Sequence, residues 1–181
     1  GGASPAVDSG VVIVPYSSGE LIALKVENGR ELWADSLSGN RLSQISSTLS
    51  AIRGRPIIDR GVVFAISNSG QFVAISLRNG RRIWDREIGG IESPWVAGDY
   101  LFVLSDNAEL VALGRMDGRI HWVTSLPNWK DPKDRQKKIT WVGPVLASDR
   151  LIIASSTGEA ISVSPYTGRI LGKVKMPDGV T

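Results

Sequence analysis

Cysteine does not occur in the 181 residues, and histidine occurs once, at His121. Without thiols there is no disulfide and no thiolate metal site, and one imidazole cannot build the usual zinc centre. His121 abuts Trp122 with no Ser or Cys partner nearby in sequence, and reads as inert. Long apolar runs are also lacking. The longest, such as Val11–Val14 and Val62–Ile66, fall far short of the ~20 residues a membrane-spanning helix needs. No phosphate-cradling glycine loop is present, since Ile88-Gly89-Gly90-Ile91 reads as a simple turn. Scattered carboxylates such as Glu20, Asp35 and Asp99 show no spacing that pairs them as general acid and base. The net charge is only +3, with a pI near 9.4. A nucleic-acid partner would need a clustered basic face, so none is expected. Catalytic residues, metal ligands and cofactor ligands are therefore assigned to no position. No signal peptide is legible. The chain opens on Gly1-Gly2-Ala3 rather than Met, which suggests a piece of something longer.

What is present is apolar, turn-rich and repetitive. Hydrophobic residues make up 42% of the chain, with 20 Gly and 9 Pro, a balance that fits short strands joined by turns in one folded, water-soluble domain. One pattern occurs four times: a Pro-led apolar stretch, an apolar run, a turn, a second apolar run, a second turn, then a strand bearing Trp. The leading prolines are Pro5, Pro56, Pro94 and Pro144. The second turns are Asn28-Gly29-Arg30, Asn79-Gly80-Arg81, Asp117-Gly118-Arg119 and Thr167-Gly168-Arg169. The tryptophans are Trp33, Trp84 and Trp122, and the fourth repeat has Leu171-Gly172 in that place. The turn pairs suit tight hairpins. The middle runs are apolar without clean alternation, as strands buried on both faces are. Repeated four-stranded antiparallel sheets of that kind are the blades of a β-propeller. The expected fold is all-β, with blades at about 3–38, 55–90, 93–127 and 143–176. Trp33, Trp84 and Trp122 are expected to fill the wedge between neighbouring blades, the fourth blade to be packed more weakly outside, and Trp95 to lie near the axis. The arginines of the turns read as structural.

Two connections are longer than a bare blade requires, 38–55 and 127–142. Both join the last strand of one blade to the first of the next, so both should project from one rim, where long loops tend to carry function. In the first, Leu42, Ile45, Leu49 and Ile52 recur at helical spacing, either as a helix lying back on the blades or as a stripe offered to a partner. Ala51 and Arg53 follow in the same connection. The second, Asn128–Trp141, holds five basic and two acidic residues with two tryptophans. Trp129, Lys130, Arg135 and Trp141 are either a solvated run or an aromatic-plus-basic hot spot for a protein.

The repeat Gly-Glu-Leu-Ile-Ala-Leu…Asn-Gly-Arg-Glu-Leu-Trp resembles the pyrroloquinoline-quinone-like propeller repeat. The stretch from Arg53-Gly54-Arg55-Pro56 through Trp84-Asp85-Arg86-Glu87-Ile88-Gly89 resembles, more specifically, the BamB-type propeller lipoproteins of the outer-membrane β-barrel assembly machinery. The likeness spans essentially the whole chain and is sharpest over 42–126. It implies an eight-bladed ring, of which this chain would be about half, held by a lipidated cysteine at the periplasmic face of the outer membrane. It also implies a non-catalytic scaffold that binds the periplasmic domains of the barrel-inserting subunit BamA through loops on one face, with unfolded outer-membrane proteins as a further candidate partner. An acidic pair in the family's contact loop aligns with Ala51 and Arg53, so the charge at that contact differs here.

Two other readings stay open. A generic sensor or adaptor propeller would carry the same repeats. A quinone-dependent dehydrogenase would need a calcium site and an aromatic floor for the cofactor, and the inner strands here offer Pro-x-Val and no acidic residue towards the axis. An open half-ring would leave two apolar blade faces wet, so either self-association of two half-propellers or membership of a longer chain is expected.

Overall fold

The computed structural model describes residues 3–37, 51–131, 133 and 136–180, and the described residues contain strands and no helix. Four antiparallel four-stranded sheets follow one another along the chain. The first holds β1 (Ala6–Asp8), β2 (Val11–Pro15), β3 (Glu20–Lys25) and β4 (Glu31–Ser36). The second holds β5 (Ile57–Asp59), β6 (Val62–Ile66), β7 (Phe72–Ser76) and β8 (Arg82–Arg86). The third holds β9 (Trp95–Ala97), β10 (Tyr100–Leu104), β11 (Glu109–Gly114) and β12 (Ile120–Ser125). A two-stranded hairpin, β13 (Trp129–Asp131) and β14 (Gln136–Lys138), precedes the last sheet of β15 (Trp141–Ala147), β16 (Arg150–Ser155), β17 (Glu159–Val163) and β18 (Ile170–Lys175). Within each sheet the strands pair in sequence order, as propeller blades do. The Leu42, Ile45 and Leu49 stripe lies outside the described residues.

Local chemistry sets the turns. Between the first two strands of a blade, paired positive φ values (Ser9 48° with Gly10 75°, Arg60 47° with Gly61 74°) make the tight hairpins whose twist suits flanking strands. Between the last two strands, only the glycine is left-handed. The residue before it acts through its side chain: Asn28, Asn79 and Asp117 each accept the N–H of the arginine two residues on. A bulge then shifts the register, so that Trp33, Trp84 and Trp122 stand opposite the small residues Ala23, Ala74 and Ala112.

The core lies between blades rather than within them. Along β6, Val63 and Ala65 face the first blade, in a cluster with Ile13, Leu21 and Trp33. Phe64 and Ile66 face the third, with Leu101, Val103 and Trp84. That two-sided burial is what the unbroken apolar runs foretell. The end blades differ, because β2 and β16 bury alternate residues only. Each indole lies on the turn glycine of the next blade: a Cβ on Gly80, Gly118 or Gly168 would stand 2.7, 2.7 or 2.6 Å from Trp33, Trp84 or Trp122. Each Nε1–H donates to the carbonyl three residues before that glycine, on Leu77 (2.8 Å), Arg115 (2.9 Å) and Pro165 (3.0 Å). A second tie lies two residues past each indole. Asp35 accepts from Arg82, Arg86 donates to the Gly118 carbonyl, and Thr124 donates to that of Gly168. Trp95 sits half-buried on the innermost strand of its blade, with one flank packed against the core between the third and fourth blades.

Candidate protein-binding rim

Backbone hydrogen bonds sort the connections onto two rims. On one, the turns between third and fourth strands meet those between first and second: Val26 N–H donates to Gly10, Leu77 to Gly61 and Arg115 to Asp99. The exposed Arg30, Arg81, Arg119 and Arg169 lie there. On the other, the inter-blade links meet the central turns: Leu37 N–H donates to Gly19, Asp106 to Gly89, Leu126 to Ala108 and Ser156 to Thr140. Both long connections return to this second rim.

The link after the first blade comes in at Ala51–Arg55. Ala51 is half-buried, and its carbonyl accepts the Asn68 N–H (3.2 Å). Arg53 is exposed. Gly54 packs so tightly on the Glu92 backbone that a Cβ would stand 2.5 Å from its carbonyl oxygen, while Arg55 N–H donates to Ser93 Oγ (2.9 Å). Two successive links are thereby pinned side by side. Close by, a cavity of about 180 Å³ is lined by Glu92, Asp106, Asn128, Lys138, Thr140 and their neighbours. Burial raises the Glu92 carboxyl above its ordinary value, against a hydrogen bond from the Gly143 backbone. Asp106 reaches the solvent, yet protein crowding on its inner side raises it as well, against the attraction of Lys138 and Arg53. A dip lined by two carboxyls that are costly to ionise, with cations at its edge, favours a partner's basic or hydrogen-bonding side chain.

The second long connection contains the β13–β14 hairpin, with Trp129 opposite Lys138 and Asp131 opposite Gln136. Trp129 and Lys130 line a shallow groove of about 610 Å³ with Glu159, Lys173 and Lys175 of the outer fourth blade. Arg135 lies outside the described residues.

Two residues expected at a partner contact belong to the core instead. Ile52 is fully buried between the first two blades. Its place in the apolar stripe marks the point where the link dives back into the fold. Trp141 is 5% exposed, opens β15 and donates from Nε1 to the Pro127 carbonyl (2.9 Å). The indole closes the long connection on itself. Glu92 and Asp106, by contrast, escaped notice in the sequence, because they sit on different connections and only the rim brings them together. Among the described residues no three His, Asp or Glu side chains gather as a metal site would require.

The family model for outer membrane protein assembly factor BamB matches residues 1–124. The chain is 28% identical over 178 residues to outer membrane protein assembly factor BamB of Legionella pneumophila (strain Paris), covering 98% of this chain and 44% of that one. It thus spans less than half the length of the curated relatives it matches. Among solved structures, BamB from Moraxella catarrhalis superposes with a TM-score of 0.83 at 21% identity, over 100% of this chain and 52% of that one. Quinohemoprotein alcohol dehydrogenase from Comamonas testosteroni gives 0.74 at 14% identity, over 98% and 35%. At these identities both structures speak for the propeller fold alone.

Proposed function

The chain belongs to the family of outer membrane protein assembly factor BamB, and from that premise we propose that it is a non-catalytic binding scaffold of outer-membrane protein assembly. It docks the periplasmic domains of the barrel-inserting subunit BamA, at the periplasmic face of the outer membrane, through the rim that carries both long connections. The observation that carries this reading is the cluster on that rim: the exposed Arg53 and Lys138 beside the crowded carboxyls of Glu92 and Asp106, over links pinned at Gly54. A rigid backing holds such charges in fixed positions, which favours binding over loop rearrangement.

Charged side chains at a rim of this kind change affinity by ~1–3 kcal/mol when reversed. Arg53→Glu and Asp106→Arg are each expected to weaken binding to purified BamA periplasmic domains about tenfold or more. Arg81→Glu and Arg119→Glu, on the opposite rim, are expected to leave it unchanged. Biolayer interferometry with the four variants reads this out. Loss confined to the opposite-rim variants would refute the assigned face.

A further inference from the structure

Where successive blades meet on the rim of the arginine turns, one small site recurs with different contents. Strand pairing fixes which residues correspond. Val11, Val62 and Tyr100 each open the second strand of their blade, opposite Lys25, Ser76 and Gly114 at the end of the third. Leu32, Ile83 and His121 are the bulged residues just before the indoles. From the following blade come Leu77 and Arg115, whose N–H groups donate to Gly61 and Asp99.

Between the third and fourth blades the site holds two rings. Tyr100 and His121 pack edge to face there, with centroids 5.0 Å apart and planes at 72°. Between the second and third, the long side chain of Arg115 crosses the site to Asp59, at 3.3 Å, and is 8% exposed. Between the first and second, Val11, Leu32 and Leu77 are shorter. They leave a pocket of about 390 Å³, completed by Ser9, Gly61 and Arg78. One wall belongs to the first blade and the other to the second, so the pocket lies inside the stack and not at its end. Leu77 is buried, whereas Leu32 is 39% exposed at the opening. Arg78 is the charged residue of the lining. It is exposed and has no ion pair or hydrogen bond among the described residues. Asp8, next to the pocket in sequence, is engaged by Ser9 Oγ at 3.1 Å.

We propose that this pocket binds an aromatic side chain of a partner peptide whose next residue is Asp or Glu. The ring takes the place that Tyr100 and His121 fill further along the chain, and a preformed apolar hollow holds a rigid ring at little cost in conformational entropy. The neighbouring carboxylate meets the unpaired guanidinium of Arg78 in a charge-assisted hydrogen bond. This inference goes beyond the proposed docking, because the pocket opens on the rim opposite to the one assigned to BamA.

The test uses neither that partner nor that rim. The probe is the peptide Gly-Phe-Asp-Gly, acetylated and amidated, titrated into the 15N-labelled chain. It should shift the amides of Ser9, Gly61, Leu77 and Arg78 saturably, with a Kd of about 1 mM or below. With Ala for Phe the saturable shift should vanish, and with Asn for Asp binding should weaken about threefold or more. Arg78→Glu, a surface change that leaves the core intact, should weaken the parent peptide about tenfold. Leu32→Phe fills the pocket from within and should abolish the shifts. Absence of a saturable shift at these amides, or equal binding by the Ala peptide or by Arg78→Glu, would overturn the proposal. So would shifts of the same amides on diluting the chain alone, which would make a second copy the occupant. Shifts with phosphatidylglycerol vesicles but not with the peptide would overturn it in favour of a lipid surface.

Discussion

At the scale of single residues, the carboxyl of Glu92 links the rim's chemistry to stability. Burial raises it above the ordinary value of 4.5, so the folded chain binds a proton that the unfolded chain releases first. Stability from this group is then fully present below about pH 4 and is lost as pH rises through the raised value. Glu92→Gln keeps an acceptor for the Gly143 N–H and cannot ionise. It is expected to melt higher than the parent at pH 7 and to match it near pH 4, which thermal melts across that range would measure. A variant that is less stable at pH 7 would mean that the charged form is held favourably. The sequence alone offered no path to this residue. Glu92 and Asp106 lie on a link and on a turn, with no periodicity between them, and only the shared rim makes them neighbours.

At the scale of elements, the outer strand of each blade is fastened by its indole rather than by its own sheet alone. Trp84 is buried against Phe64, Phe72 and Gly118 and donates to Arg115. Trp84→Ala removes both the filled volume and the bond, and is expected to cost ~3–5 kcal/mol in urea unfolding. Trp84→Phe keeps most of the volume and should cost less, with ~1 kcal/mol of it from the lost hydrogen bond. These strands were legible beforehand because their glycines, tryptophans and prolines recur at fixed offsets. The β13–β14 hairpin was not, since its Trp129–Lys138 and Asp131–Gln136 pairs are mostly polar and show no alternation. Ile52 and Trp141 were misplaced for a related reason: an apolar residue in a long connection looks the same in sequence whether it faces out or anchors the return.

At the scale of the whole molecule, four blades stack face to face, and the inner two are covered on both sides. The outer two bury alternate residues and leave Val145, Ile152 and Val7 exposed. The unbroken apolar runs of the first and fourth repeats are thus only half covered among the described residues. The same stacking brings the ends of both long connections to one rim and the arginine turns to the other, and the proposed docking is assigned to the first of these faces. Hydrogen exchange of the chain with and without the BamA periplasmic domains tests it most directly. Protection is expected at 51–55, 67–70, 105–108 and 128–141, with 26–30, 77–81 and 115–119 unchanged. Protection of the latter three turns, with the first four segments exchanging freely, would contradict it.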